Sequence, residues 1–229
     1  MPLLVLFDVD GTLFLTHDPL AGQALRETLS AKFGLRLPED AVEEVDHLGQ
    51  TSLRIARLVL RDAGLGDAVI DAGLRDWCGS FGERYLELLA GADTSGWESA
   101  PDAGSALGRL QAAGIQLALL TGNPEPVARA RMKLLGLDGY FPGGQGAFGC
   151  EAESRGELLD LARERSGRRQ ADETVEVGDT VRDVESAHES GVRSIVVRSP
   201  RASGERFRDA DAVCDNLDEV SSQLLAWAG

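Results

Sequence analysis

The stretch Leu3-Leu4-Val5-Leu6-Phe7-Asp8-Val9-Asp10-Gly11-Thr12 constrains this chain more than any other. Five apolar residues in a row suit a strand covered on both faces, the central strand of an α/β sheet. The run ends at once in two carboxylates. Residues i and i+2 of an extended segment point to the same side, so Asp8 and Asp10 share a face. In open α/β sheets the reactive crevice lies outside the carboxyl ends of the strands. Two acids so close repel each other unless a cation neutralises them or one keeps its proton. A plain Asp-Gly turn explains Asp10 and Gly11 but leaves Asp8 without a reason.

Further along, the pattern divides the chain in two. Leu15 to Pro19 reads as a linker, and from there to Ala90 every periodic segment is helical. Ala21 to Phe33 stops at Gly34 and Thr51 to Ala63 stops at Gly64. Ala68 to Ala90 is a longer helix with a break expected near Gly79 or Gly82. Gly91 to Gly96 is a return linker. Residues 16–95 are therefore expected to form a separate helical domain inserted into a core made of 1–15 and 96–229. After Pro101 helices and strands alternate. Strands are expected at Ile115–Leu120, Thr174–Val177 and Ser194–Val197, with a short edge strand at Ala212–Cys214. That rhythm implies right-handed crossovers and one Rossmann-like parallel sheet with helices on both faces.

Three of those strands run straight into polar groups, and parallel strands bring the groups to one edge. The first gives Asp8 and Asp10. The second gives Thr121-Gly122-Asn123, with Asn123 a favoured N-cap type and Pro124 suited to the first helical position. Free N–H groups there make an anion site. The third gives Gly178-Asp179, with Asp183 one turn into the next helix; Thr180 and Asp183 also fit a cap with its acid partner. Ser154 and Glu157 fit a capping box that puts Arg155 at the first helical position. A cation faces the positive end of the dipole there, and a bound anion would compensate. Only Lys32 and Lys133 exist as alternatives to Arg155. Carboxylates and a carbonyl are the hard oxygen ligands that suit Mg²⁺.

The formal net charge of −15 disfavours nucleic acid and anionic membranes as partners. No apolar run approaches the ~20 residues of a membrane span. Acids follow the first apolar run and no basic region precedes it, so it is not read as a secretory signal. Cys78, Cys150 and Cys214 contain no close pair and are expected to be buried free thiols in a reducing, cytoplasmic compartment. His17, His47 and His188 are scattered, which argues against an imidazole metal site.

Taken in order, Asp8-Val9-Asp10-Gly11-Thr12, Thr121-Gly122-Asn123, Arg155, and Gly178-Asp179 with Asp183 resemble the four motifs of the haloacid dehalogenase superfamily. The helical insert resembles that family's cap. Lysine is usual where Arg155 stands. The resemblance implies that Asp8 is a nucleophile forming an aspartyl-phosphate and that Asp10 is the acid and then the base. It implies Mg²⁺ on the Asp8 carboxylate, the Asp10 carbonyl and Asp179, with Asp183 behind it. Thr121, Gly122, Asn123 and Arg155 would bind phosphoryl oxygens, and Thr12 would orient Asp10. The acid at position 10 sets the chain apart from the dehalogenases and phosphonatases and towards the phosphoglycolate phosphatase-like branch. A small phosphorylated metabolite is the expected partner, in a monomer or homodimer. A phosphomutase of the β-phosphoglucomutase type uses the same core residues, and a non-catalytic phosphate-binding module is the third reading. In the insert, Gln50 and Thr51 resemble the loop that family members place over the site. Arg54, Arg57 and Arg61 share one helical face, either gripping an anionic substrate tail or simply solvated. Trp77 and Tyr85 are expected to be packing residues.

Overall fold

A computed structural model describes residues 3–167, 170–202 and 206–228. Strand β1 (Leu4–Phe7) is central in a six-stranded parallel sheet. The others are β2 (Gln116–Thr121), β3 (Ala147–Phe148), β4 (Thr174–Gly178), β5 (Arg193–Val197) and β6 (Ala212–Cys214), in the order β3-β2-β1-β4-β5-β6. Strand order reverses at β1, so β1 with its neighbours β2 and β4 marks the switch point where a crevice opens. Strand β3 is new relative to the sequence reading; two residues carry no periodicity to detect.

Alternate residues of each strand serve opposite layers. Val5, Phe7, Leu117, Leu119, Val175 and Val177 pack under α4 (Ala103–Ala112), α5 (Glu125–Leu134) and α8 (Leu217–Ala228). Leu4, Leu6, Ala118 and Leu120 pack under α6 (Arg155–Arg165) and α7 (Val181–Glu189). With both faces covered, the strands can be largely apolar, with polar groups gathered at their carboxyl ends.

The remaining helices, α1 (Pro19–Phe33), α2 (Ser52–Asp62) and α3 (Asp67–Ala90), enclose a cluster of their own around Leu29, Leu60, Ile70, Trp77 and Tyr85. Trp77 and Tyr85 are fully buried, as a packing role requires. Helix α3 runs unbroken through Gly79 and Gly82, correcting the expected break; a side chain at Gly82 would press on Pro126 of α5. The two linkers run side by side, with the Leu15 N–H donating to the Glu98 carbonyl and the Ala100 N–H to Leu13.

Cys78 and Cys150 are joined in a disulfide, which corrects the expectation of three free thiols; Cys214 alone is free, and buried. Two of the three cysteines therefore do not speak for a reducing compartment. The pairing was not legible because it spans 72 residues and exists only where α3 lies on the segment after β3. Replacing both cysteines with serine is expected to lower stability by about 2–4 kcal/mol, since the reduced chain regains the entropy of an open loop. Urea denaturation of the oxidised protein against the double variant measures this.

Candidate active site

Asp8 leaves β1 with its N–H donating to the Val177 carbonyl at 2.8 Å, which seats the loop after β1 against the end of β4. The loop then turns tightly: Leu13 and Phe14 both donate to the Val9 carbonyl. Gly11 holds φ +82°, and a Cβ there would overlap the Asp179 carboxylate, so glycine is what lets the turn approach β4. The result is a cluster of three buried acids, Asp8, Asp179 and Asp183, each offering an oxygen within 4.8 Å of the others. Thr180 is the N-cap of α7 and Asp183 its capping-box partner, with Asp183 Oδ2 accepting from the Thr180 N–H at 2.8 Å and the Thr180 hydroxyl at 2.6 Å. Asp179 accepts from the Ser199 hydroxyl on one oxygen, while its other oxygen is buried with no hydrogen-bond partner among the described residues.

That orphaned oxygen is the test of fit for a cation. Three hard oxygen donors converge, the orphaned Asp179 oxygen and an Asp183 oxygen met only by the Arg155 guanidinium among them, and burial makes uncompensated negative charge costly. Burial pushes Asp8 up to about 7, against the pull of Arg155 and helped by Asp183, Asp179 and Asp10. Burial likewise lifts Asp179 to about 6, against its bond from Ser199. A divalent ion fits these residues and would restore their ionised forms.

Arg155 stands at the first position of α6, as expected, and lies 8% exposed. Its Nη2 is 3.6 Å from Asp8 Oδ1 and also pairs with Asp183, while Nε donates to Glu176 at 3.3 Å. Ser154 is the N-cap of α6 by backbone alone; its side chain makes no capping bond, so the expected box with Glu157 does not form. Nothing in the structure explains that difference. Glu176 is a residue the sequence reading missed. It sits beside Leu6 in the layer under α6 and α7, where alternation calls for an apolar side chain, and it also accepts from Ser186. Burial, opposed by Arg155, raises it to about 8. A lone acid inside an apolar strand was the available signal.

Thr121 is buried at the end of β2. The expected Asn123 cap is corrected: Pro124 is the N-cap of α5, because the Asn123 amide is engaged elsewhere. Its Nδ2 donates to Asp10 and to the Thr121 hydroxyl, and its Oδ1 accepts from Arg131. Thr12 makes no hydrogen bond to Asp10; its hydroxyl is buried without a partner among the described residues. Arg131, on α5, takes that part instead, donating from Nη1 to both Asp10 oxygens at 2.8 and 3.0 Å. Burial pulls Asp10 upward, yet Arg131, Arg201 and Asn123 together hold it below the usual carboxylate range. A charged residue on the buried face of an amphipathic helix, among Val127, Ala128 and Met132, was the sign of Arg131 in the sequence.

The helical insert closes on this edge. The Ser52 N–H donates to the Gly122 carbonyl at 2.8 Å and Leu53 to Gly149 at 3.0 Å. A Cβ on Gly122 would overlap the Gln50 carbonyl, so the glycine of Thr121-Gly122-Asn123 is what lets loop 49–51 lie on the core. Thr51 caps α2. A cavity of about 130 Å³ under this loop is lined by Asp8, Asp10, Gln50, Thr121, Asn123 and Arg155. It adjoins a second of about 680 Å³, lined in part by His47, Arg26 and Arg201. Arg54 lines a different cavity, with Glu153 and Glu185. Arg57 and Arg61 are occupied by Glu153, Asp67 and Asp71. Among the described residues, no helix is long and apolar enough to cross a membrane.

Comparison with known proteins then adds independent information. The family model for haloacid dehalogenase-like hydrolases matches residues 3–191. Over 200 residues the chain is 32% identical to phosphoglycolate phosphatase of Rhodospirillum rubrum, covering 86% of this chain and 80% of that protein. Its fold is similar to that of CbbY from Rhodobacter sphaeroides in complex with phosphate, with a TM-score of 0.70 at 22% identity over 96% of both chains. It is also similar to a candidate beta-phosphoglucomutase from Thermotoga maritima, with a TM-score of 0.58 at 22% identity over 99% of both.

Proposed function

We propose that this chain, which belongs to the haloacid dehalogenase-like hydrolase family, is a Mg²⁺-dependent phosphatase of small phosphate monoesters that works through an aspartyl-phosphate on Asp8. The observation that carries the reading is the buried cluster of Asp8, Asp179 and Asp183, with its partnerless Asp179 oxygen, beside an acid at position 10 that is held by a guanidinium. Asp8, Asp179 and the Asp10 carbonyl would hold the ion, which when bound lowers the charge between nucleophile and phosphate.

The remaining work falls to side chains of this chain. An Asp8 oxygen attacks phosphorus as the P–O bond to the alcohol breaks. Asp10 gives its proton to the leaving oxygen, and the alcohol departs. Water then attacks the acyl phosphate, Asp10 takes the water's proton, and inorganic phosphate and the Asp8 carboxylate are released. Arrival of a phosphate dianion raises Asp10 again, since a like charge disfavours ionisation, so the residue can hold its proton when needed. Thr121, Gly122, Asn123 and Arg155 would bind the phosphoryl oxygens. Residues 16–95 would act as the cap, with the Gln50 carbonyl lying close against Gly122. Gln50 lines the reaction cavity, and the Thr51 hydroxyl caps the helix that follows by accepting from the Arg54 N–H.

The experiment is phosphate release from a panel of monoesters, 2-phosphoglycolate and sugar phosphates among them, with Mg²⁺ and with EDTA. Release that EDTA abolishes is expected. Isomer formation dependent on a bisphosphate activator, in place of release, would make the chain a mutase.

A further inference from the structure

We propose that Arg131 is a positioning residue that ties the orientation of the Asp10 carboxyl group to the seating of the helical insert; the inference rests on the phosphatase reading above. Arg131 is 2% exposed, and its guanidinium is divided between two acids. On one side Nη1 donates to both oxygens of Asp10. On the other, Nη2 donates to Asp18 Oδ2 at 2.7 Å, and Nε reaches the same oxygen at 3.3 Å. Asp18 belongs to the insert: its Oδ1 accepts from the Leu20 N–H and caps α1, and its Oδ2 also accepts from the Tyr85 hydroxyl of α3 at 2.8 Å. The guanidinium lies 4.9 Å from the centre of the Phe14 ring and 5.7 Å from that of Tyr85, so rings from both linker and insert hold its plane.

Two features make this more than a buried ion pair. A guanidinium is a rigid fork, so fixing one set of its N–H groups fixes the direction of the other. Asp18 and Tyr85 thereby set where Nη1 points, and Nη1 sets the Asp10 carboxyl against Asn123 at the cavity mouth. In addition, Asp18 sits where the linker of Leu15 to Pro19 enters α1, the place where the insert would pivot. An insert that shifts there carries Asp18 with it and releases one half of the fork.

The test uses the leaving group. Nitrophenolate departs without a proton, whereas an alkoxide needs one. Misplacing the acid therefore slows an alkyl ester and spares an aryl ester in kcat/KM, which ends at the first irreversible step. With Mg²⁺ present, Asp18→Asn and Tyr85→Phe are compared with wild type on glycerol 2-phosphate and p-nitrophenyl phosphate; Arg131→Lys is the conservative variant. The ratio of alkyl to aryl kcat/KM is expected to fall about tenfold in Asp18→Asn and less in Tyr85→Phe. It is expected to be unaffected by Asp18→Asn in an Asp10→Asn background. Equal losses on both esters, or a change in KM alone, overturn the positioning role while leaving the phosphatase reading intact. A wild-type protein that hydrolyses neither ester overturns both. Should Arg131→Lys fail to fold, the Asp18 and Tyr85 variants still decide the matter.

Discussion

Asp8→Asn is expected to lower kcat by about 10⁴-fold or more on any monoester the wild type accepts, with no loss of fold. The amide keeps the shape of the carboxyl group and cannot attack phosphorus. Stability should move the opposite way. Burial raises Asp8 from 3.8 to about 7, so its favourable contribution is fully present below pH 3.8 and is lost as the pH rises through about 7. Asparagine does not titrate. In metal-free buffer the variant's melting temperature should therefore gain on wild type between pH 4 and 8. An Asp8→Asn protein that retains wild-type kcat would end the nucleophile assignment. One that melts lower than wild type at pH 8 would mean that Arg155 needs Asp8 more than burial disfavours it.

Arg155→Met should cost about 3–5 kcal/mol, because it leaves Asp8, Glu176 and Asp183 buried without their cation. For a chain of this size that is roughly a 10 °C drop in Tm. Adding Glu176→Leu should recover part of the loss, since an apolar side chain would replace a second unpaired charge in the layer that holds Leu6. Arg155→Lys should fall between, keeping a charge near Asp8 but losing the fork that also reaches Glu176. Thermal melts of the three variants check the order. Full additivity of the Arg155 and Glu176 changes would show that the two side chains are not coupled.

The polar edge of the sheet was readable because its residues follow apolar strands. Leu4–Phe7 and Gln116–Thr121 announce themselves, and whatever polar group comes next stands at a sheet edge. What escaped reading depends on contacts between distant segments. Arg131 meets Asp10 across 121 positions and Asp18 across 113, and no local pattern encodes such a meeting. The Asn123 cap was misjudged for a related reason. Its side chain suits a helix start, but Asp10 and Arg131 compete for it and win. Glu176 shows the reverse: the strand was read correctly, and the acid inside it has meaning only beside Arg155.

The Cys78–Cys150 bond keeps two Cα atoms 5.8 Å apart, one on α3 and one just past β3. While it is intact, that flank of the insert is held to the segment after β3 by a covalent bond. Neither cysteine borders the larger cavity beside α1, His47 and Arg201. Any hinging of the insert in the oxidised chain is thus expected to be smaller beside α3 than beside α1, where no disulfide holds it.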